Sequence, residues 1–280
     1  MYCKICGEGP VKLLYTVGKY KIWKCPSCGF GQIFVDDGYL TSLSAYYDKE
    51  YSSGGKDDPS LLQGQEVRPA IGYWLELQLK KVGQGSKISV AEIGPGTGAA
   101  IGRYLKKYHP DIEYEAIEIS DFVAKCLTRE GLMVHTGRVT DPDIREKCRG
   151  KFDLVIGTEV IKHDPDPRGF ASATYDMLKP GGRFAFTTGN LNGLMSKIKG
   201  VKWYYIGPPS HVSYFTPKAA RKLFSDTGFI NVNIWKVGFS YIELAMKYHV
   251  PGLLFVIDLI SLPTGMTISA MRPRLDEKGV

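Results

Sequence analysis

Four cysteines near the start of the chain fall as two pairs, Cys3-x2-Cys6 and Cys25-x2-Cys28, with 18 residues between the pairs. Two sulfurs at this spacing can meet one metal ion from a tight turn, and two such knuckles match zinc-ribbon spacing. Four thiolates close a tetrahedral shell around Zn2+ and leave no open position, so the metal is expected to be structural. Gly7 and Gly29 follow the second cysteine of each knuckle, where the turn needs a permissive backbone. The competing reading is a pair of disulfides or a redox CxxC. A reducing compartment disfavours it, and no βαβ pattern surrounds either pair. Cys126 and Cys148 have no partner at ligand spacing and read as plain helix or loop residues.

A second chemical cluster is glycine-rich: Val90-Ala-Glu92-Ile-Gly94-Pro-Gly96-Thr-Gly98. Glycines between a strand and a helix allow a tight turn and close approach of a ligand to backbone. Gly94-x-Gly96-x-x-Ala99 also satisfies a dinucleotide pattern, so an NAD-dependent enzyme stays open on the loop alone. Glu92, two residues before the first glycine, would set a carboxylate against the ligand. That suits an ammonium group better than a pyrophosphate. Glu118 closes the next predicted strand, where an acid can accept both ribose hydroxyl protons. Candidate general bases are His163, His211 and, third, Glu159. His109, His135 and His249 read as structural from their helix-end, strand and late-helix contexts.

These residues need elements to hold them. Lys12–Val17 and Lys19–Lys24 read as a hairpin pivoting on Gly18 between the knuckles. The segment 36–64, rich in Tyr, Ser, Asp and Gly, reads as a short helix and a connector. A helix follows on the spacing of Ile71, Trp74, Leu75, Leu79 and Val82, with Pro69 near its start and Gly83 at its end. Strands are expected at Ile88–Ile93, Glu113–Ile119, Met133–Thr136, Phe152–Ile156 and Phe184–Thr188. Helices between them include Ala99–Tyr108, Asp121–Glu130 and Arg168–Leu178. Such alternation implies a parallel sheet with helices on both faces. Thr216-Pro217 starts a late helix that Gly228 stops, and Ile230–Trp235 and Met266–Met271 are two late strands. The expected architecture is α/β: a Rossmann-like, seven-stranded, mostly parallel sheet with a small N-terminal zinc ribbon. The expected divisions are 1–35 ribbon, 36–84 helical connector and 85–280 main domain.

Charge is concentrated. Among the 280 residues, 36 basic and 29 acidic side chains leave a formal +7. Arg183, Lys197, Lys199, Lys202, Lys218, Arg221 and Lys222 equal that excess, and no acid occurs from Arg183 to Ser225. With Trp203, Tyr204, Tyr205, Tyr214 and Phe215 in the same stretch, it suits a phosphate-bearing, ring-containing partner. At 44% hydrophobic and 23% charged residues, wholesale disorder is excluded. No run of about 18 apolar residues predicts a spanning helix. The opening Met1-Tyr2-Cys3-Lys4 has no apolar leader character, so the cytoplasm is the expected compartment.

The glycine loop resembles motif I of class I S-adenosylmethionine-dependent methyltransferases. Phe152-Asp-Leu-Val-Ile-Gly-Thr-Glu-Val-Ile-Lys-His163 is similar to their fourth-strand segment, with Lys162-His163 where Glu-His is common. Leu178-Lys-Pro-Gly-Gly-Arg183 resembles the turn before their fifth strand. Pro209-Ser-His211-Val-Ser-Tyr-Phe-Thr-Pro217, with the helix ending Thr227-Gly-Phe229, resembles the late segment of ubiquinone-pathway O-methyltransferases and sugar-modifying enzymes. The ribbon and Tyr46-Tyr-Asp-Lys-Glu-Tyr51 add a resemblance to methyltransferases acting on sugars of nucleotide-linked or surface glycans.

The resemblance implies S-adenosylmethionine as cofactor. Glu92 would face its amino group, Gly94, Gly96 and Gly98 would pass beneath it, and Glu118 would bind the ribose. Val139 would neighbour adenine, Thr158 the methionine part, and Tyr47 and Tyr51 would close over it from the N-terminal side. The implied reaction is methyl transfer to a hydroxyl, less readily a carbon, of a sugar or nucleotide-linked sugar. Gly157-Thr158-Glu159-Val160 stands where adenine-N6 enzymes carry Asn/Asp-Pro-Pro-Tyr/Phe, and no Pro-Cys nucleophile occurs in the catalytic region. An RNA methyltransferase docking through the ribbon lysines is the first alternative, and a non-catalytic S-adenosylmethionine-binding protein the second. The apolar Leu253–Leu262 is too short to span a bilayer and is expected to pack on the sheet domain or on a second copy in a homodimer.

Overall fold

A computed structural model describes residues 1–36, 38–39, 42, 45–47, 49, 68–82, 87–96, 100–236, 242, 245–247, 249, 252 and 265–277. Gly98, Tyr51 and Leu253–Leu262 therefore lie outside the described residues.

In chain order the strands are β1 (Lys12–Val17), β2 (Tyr20–Lys24), β3 (Gly31–Ile33), β4 (Ser89–Ile93), β5 (Glu113–Glu118), β6 (Met133–Thr136), β7 (Phe152–Thr158), β8 (Leu178–Gly189), β9 (Ser213–Tyr214), β10 (Ile230–Trp235) and β11 (Gly265–Met271). The helices are α1 (Pro69–Val82), α2 (Ala100–Tyr108), α3 (Asp121–Arg129), α4 (Pro142–Cys148), α5 (Pro167–Met177), α6 (Leu194–Lys199) and α7 (Pro217–Asp226).

Seven strands form one sheet in the order β10-β11-β8-β7-β4-β5-β6. The pairs β4–β5, β4–β7 and β5–β6 are parallel, and β10–β11 is antiparallel. The expected α/β class and seven-stranded, mostly parallel sheet are therefore present. β4 reads buried at all five positions, as a strand covered on both faces must. Strand order reverses beside β4, with β5 to one side and β7 to the other. Ligands of open α/β sheets bind outside the carboxyl ends of strands at such a switch point.

One expectation on elements needs correction, and one helix is additional. The fifth long strand does not begin at Phe184. β8 already runs from Leu178 and takes in Lys179-Pro-Gly-Gly182. Gly181 keeps the left-handed backbone that the proline and glycines signal, φ +81°, so the bend lies inside the strand. Helix α4, with Asp141 before it and Pro142 in its first turn, has no counterpart in the sequence reading.

By contacts, the chain divides into two compact units. One comprises Met1–Phe34, Glu159–Tyr175 and Ala185–Val280, and the other Val35–Thr158 and Asp176–Phe184. In the first unit, β1 and β2 form the expected hairpin, turning at Gly18 with φ +56°. β3 extends it, and β9 completes a four-stranded sheet through Gly31 opposite Tyr214 and Gln32 opposite Ser213. Thr216 locks the same region twice. Its hydroxyl donates to the Cys28 carbonyl at 2.9 Å and accepts from the Ala219 amide at 3.1 Å as the cap of α7. In the second unit, Trp74, Leu75 and Leu79 of α1 are buried, as their spacing predicts. Ser120 caps α3 by accepting from the Val123 amide. Among the described residues no helix is long and apolar enough to cross a membrane.

Candidate active site

The switch point is built from the ends of β4, β5, β6 and β7. After β4, Gly94 (φ +65°) and Gly96 (φ +59°) adopt left-handed backbone that L side chains resist. The Gly94 amide donates to the Ile117 carbonyl at 2.8 Å, which ties the loop to β5. The Glu118 carboxylate, 3% exposed, accepts from the Gly96 amide at 3.0 Å and the Ser120 amide at 2.9 Å. The acid is thus held at the end of β5, directly against the glycine loop. Val139, buried, lies in the loop after β6, and Thr158, half-buried, ends β7. Tyr47 is helical and buried.

Glu92 sits deeper than its sequence position suggests, at 2% exposure. The Tyr114 hydroxyl donates to its Oε2 at 2.6 Å, and the Gly102 amide of α2 also reaches it. Burial, helped by the nearby Glu118 charge, outweighs the Tyr114 and Gly102 hydrogen bonds and raises its pKa to about 7. Sequence reading did not mark Tyr114. The available signal was Gly102, a poor helix former inside α2. A Cβ there would lie 2.7 Å from the tyrosine ring, so glycine is what admits the ring.

The candidate bases gather in the other unit. Glu159 has φ +60°, a strained backbone for a non-glycine residue of the kind concentrated at functional sites. Its amide donates to the Thr187 carbonyl and hydroxyl, both at 3.1 Å. Lys162, buried, donates to the Glu159 carbonyl at 2.6 Å and carboxylate at 2.9 Å, and its ammonium lies 5.5 Å from the Tyr205 ring centre. The Tyr205 hydroxyl bonds to Glu159, and burial with the Glu159 charge holds its pKa far above the ordinary value. His163 and His211 stand edge to face, ring centres 4.9 Å apart.

Each imidazole meets a carbonyl through Nδ1: His163 with Ser210 at 2.9 Å, His211 with Tyr205 at 2.7 Å. A carbonyl only accepts, so the His211 ring carries its proton on Nδ1 and leaves the lone pair on Nε2. Burial first, then the Lys162 charge, lowers His163 to about 3 and His211 to about 4. Both rings are neutral at physiological pH. His163 also meets the Glu159 backbone carbonyl. Lys162 and Tyr205 escaped the sequence reading because their relation to Glu159 and the histidines is tertiary.

The acid-free segment is less aromatic at its surface than its sequence implies. Trp203, Tyr205, Tyr214 and Phe215 are buried and only Tyr204 is exposed. Arg183 is half-buried and Arg221 donates to the Val232 carbonyl, whereas Lys197, Lys199 and Lys202 stand in solvent.

The four ribbon thiols converge, all Sγ atoms within 4.8 Å of one another, with Cys3–Cys28 and Cys6–Cys25 at 3.5 Å. Amides of Gly7 and Gly29 close each knuckle onto the Cys3 and Cys25 carbonyls at 3.0 Å, and both glycines have positive φ. Tetrahedral zinc with sulfur at about 2.3 Å sets sulfurs about 3.8 Å apart, so the cluster fits one ion with small adjustment.

A glycine loop after β4, a buried acid at the end of β5, and this strand order define the class I S-adenosylmethionine-dependent methyltransferase fold. The family described as a methyltransferase domain matches residues 66–234. The chain belongs to that family. It is 37% identical over 128 residues to the ubiquinone biosynthesis O-methyltransferase of Pseudomonas putida F1, covering 45% of this chain and 53% of that protein. The chain thus spans about half the length of that relative. Among solved structures it is similar to an S-adenosylmethionine-dependent methyltransferase from Archaeoglobus fulgidus (TM-score 0.52, 16% identity, 84% of this chain and 100% of that one). It is also similar to phosphoethanolamine N-methyltransferase 2 of Haemonchus contortus in complex with S-adenosylmethionine (TM-score 0.55, 13% identity, 93% and 71%). At these identities the structures establish the fold.

Proposed function

We propose that the protein transfers the methyl group of S-adenosylmethionine to a hydroxyl of a small acceptor, a sugar or nucleotide-linked sugar, with carbon the lesser alternative. One observation carries the cofactor reading: Glu118, fixed by the Gly96 and Ser120 amides at the switch point, where ribose hydroxyls are bound in this fold class. Bound there, the cofactor supplies an electrophilic methyl on a sulfonium. Gly94 and Gly96 let it approach the backbone, Val139 flanks the adenine, and Thr158 neighbours the methionine part. Gly98, Tyr47 and Tyr51 belong to the same assignment. Glu92, held by Tyr114 and Gly102, positions the loop, and its carboxyl group is assigned to the amino group of the cofactor.

In-line displacement at a methyl depends mainly on alignment. A neutral base adds roughly 10²–10⁴-fold when the acceptor is a hydroxyl. His211 takes that role in this account: its tautomer is fixed and its Nε2 holds a lone pair. Glu159 with Lys162 is the alternative base, and His163 holds the turn through its carbonyl bonds. The ribbon holds one structural Zn2+ through Cys3, Cys6, Cys25 and Cys28, which requires reduced thiols and hence a reducing compartment such as the cytoplasm.

The exposed Lys199 and Lys202 favour an anionic acceptor. A charge used equally in ground and transition states alters KM and leaves kcat alone, so replacing both with alanine should raise acceptor KM several-fold with cofactor affinity intact. RNA is the second reading, favoured by a shallow cavity of about 340 Å3 whose lining includes Lys12, Lys24 and Lys218. Transfer of labelled methyl to a panel of nucleotide sugars, with bulk RNA as the contrasting substrate, separates the two. Label in RNA alone would overturn the sugar reading, and label in no acceptor would leave a binding protein.

A further inference from the structure

Three donor atoms of different kinds converge at the edge of the seven-stranded sheet. β6 is the terminal strand of that sheet. In the β5–β6 register, Glu115 stands opposite Met133 and Ile117 opposite His135, so Glu115 and His135 are diagonal neighbours on one face. His135 Nε2 lies 2.7 Å from Glu115 Oε2. Helix α4 ends on Cys148, whose side chain is fully buried. The thiolate, imidazole and carboxylate donors of Cys148, His135 and Glu115 all lie within 4.8 Å of one another.

The surroundings favour a cation between them. Among the described residues the buried Cys148 thiol has no hydrogen-bond partner, although it packs beside a carboxylate. The Lys151 ammonium lies 3.8 Å from the other carboxylate oxygen, Oε1, and is about half exposed. The side chains of Glu115 and His135 are 18% and 15% exposed, so solvent is largely excluded. A buried sulfur, an imidazole nitrogen and a carboxylate oxygen are the mixed donor set that zinc accepts, and three protein ligands leave a fourth position for water.

We infer that Glu115, His135 and Cys148 bind one divalent transition-metal cation, zinc foremost, as a metal site separate from the ribbon cysteines. Tetrahedral zinc places nitrogen and oxygen donors about 3.3 Å apart, and sulfur about 3.6 Å from each. The His135–Glu115 contact must open by about 0.6 Å, and the sulfur stays within its present range. With both Glu115 and Cys148 ionised, the dication leaves the cluster neutral, which burial favours. The ion would cross-link β5, the edge strand β6 and the end of α4. The ligands come from three elements, so no spacing in the sequence announces the site.

The test is metal content of the full chain after equilibration with zinc and removal of unbound ion. Two zinc ions per chain are expected, falling to one in Cys148→Ser and in His135→Gln, with the ribbon ion retained. Cys25→Ser should show the complementary loss. Circular dichroism checks that each variant is folded. The unmutated chain gives a reading independent of any variant: a chelator competition should release two equivalents with distinct affinities. One equivalent in the unmutated chain, or two that survive both Cys148→Ser and His135→Gln, would overturn the site and leave His135–Glu115 as a plain ion pair.

Discussion

Glu92 and the half-buried histidines His163 and His211 respond to pH in opposite senses. Glu92 keeps its proton in the folded chain up to about 7, against an ordinary 4.5, so the folded state binds more protons between those values. Its contribution is present below about 4.5 and is lost as pH rises through 7. His163 and His211 are lowered to about 3 and about 4 from 6.5. Their contribution is present above 6.5 and is lost as pH falls through that window. Between pH 4.5 and 6.5 the two effects oppose each other, so a whole-protein profile will look flatter than either. Urea unfolding of Glu92→Gln against the native chain separates them. The variant should gain relative stability as pH rises from about 4.5 to 7, by roughly 3 kcal/mol at most, and a constant difference would contradict the assignment. The histidines also separate from each other. His211→Ala should lower kcat by about 10²–10⁴-fold with cofactor affinity intact. His163, tied to the Ser210 and Glu159 carbonyls, should on replacement lower the melting temperature more than kcat. Full kcat in His211→Ala would move the base to Glu159.

At the scale of elements, local pattern carried far. The CxxC knuckles, the hairpin on Gly18, the buried run of β4 and the Thr216-Pro217 helix start are each written in neighbouring residues. What escaped is what pairs at long range. β9 is two residues long and exists because Ser213 and Tyr214 pair with Gln32 and Gly31; no local signal marks it. The glycine loop and Glu118 were legible because their spacing is fixed by one strand and one turn. Tyr114, Lys162 and Tyr205 were not, because each acts across elements. Gly102 ties α2 to β5 through the Tyr114 ring, which gives a test. Gly102→Ala improves helix propensity by about 1 kcal/mol, yet its Cβ would sit 2.7 Å from the ring. Overpacking of this kind costs about 1–3 kcal/mol. A lower melting temperature and a weakened Tyr114–Glu92 bond are expected, and a higher melting temperature would show that the ring shifts freely.

For the whole molecule, the sheet order, the family match and the Glu118-loop geometry converge on one cofactor, while the acceptor rests on charge and on His211. The most direct measurement is therefore cofactor binding, read by calorimetry and by thermal shift on the full chain. S-adenosylmethionine or S-adenosylhomocysteine should bind with one site per chain and raise the melting temperature, because a ligand that binds only the native state stabilises it. NAD should do neither. Glu118→Ala should weaken S-adenosylhomocysteine binding at least tenfold while the protein remains folded. Stabilisation by NAD with none by S-adenosylhomocysteine, or undiminished affinity in Glu118→Ala, would contradict the account.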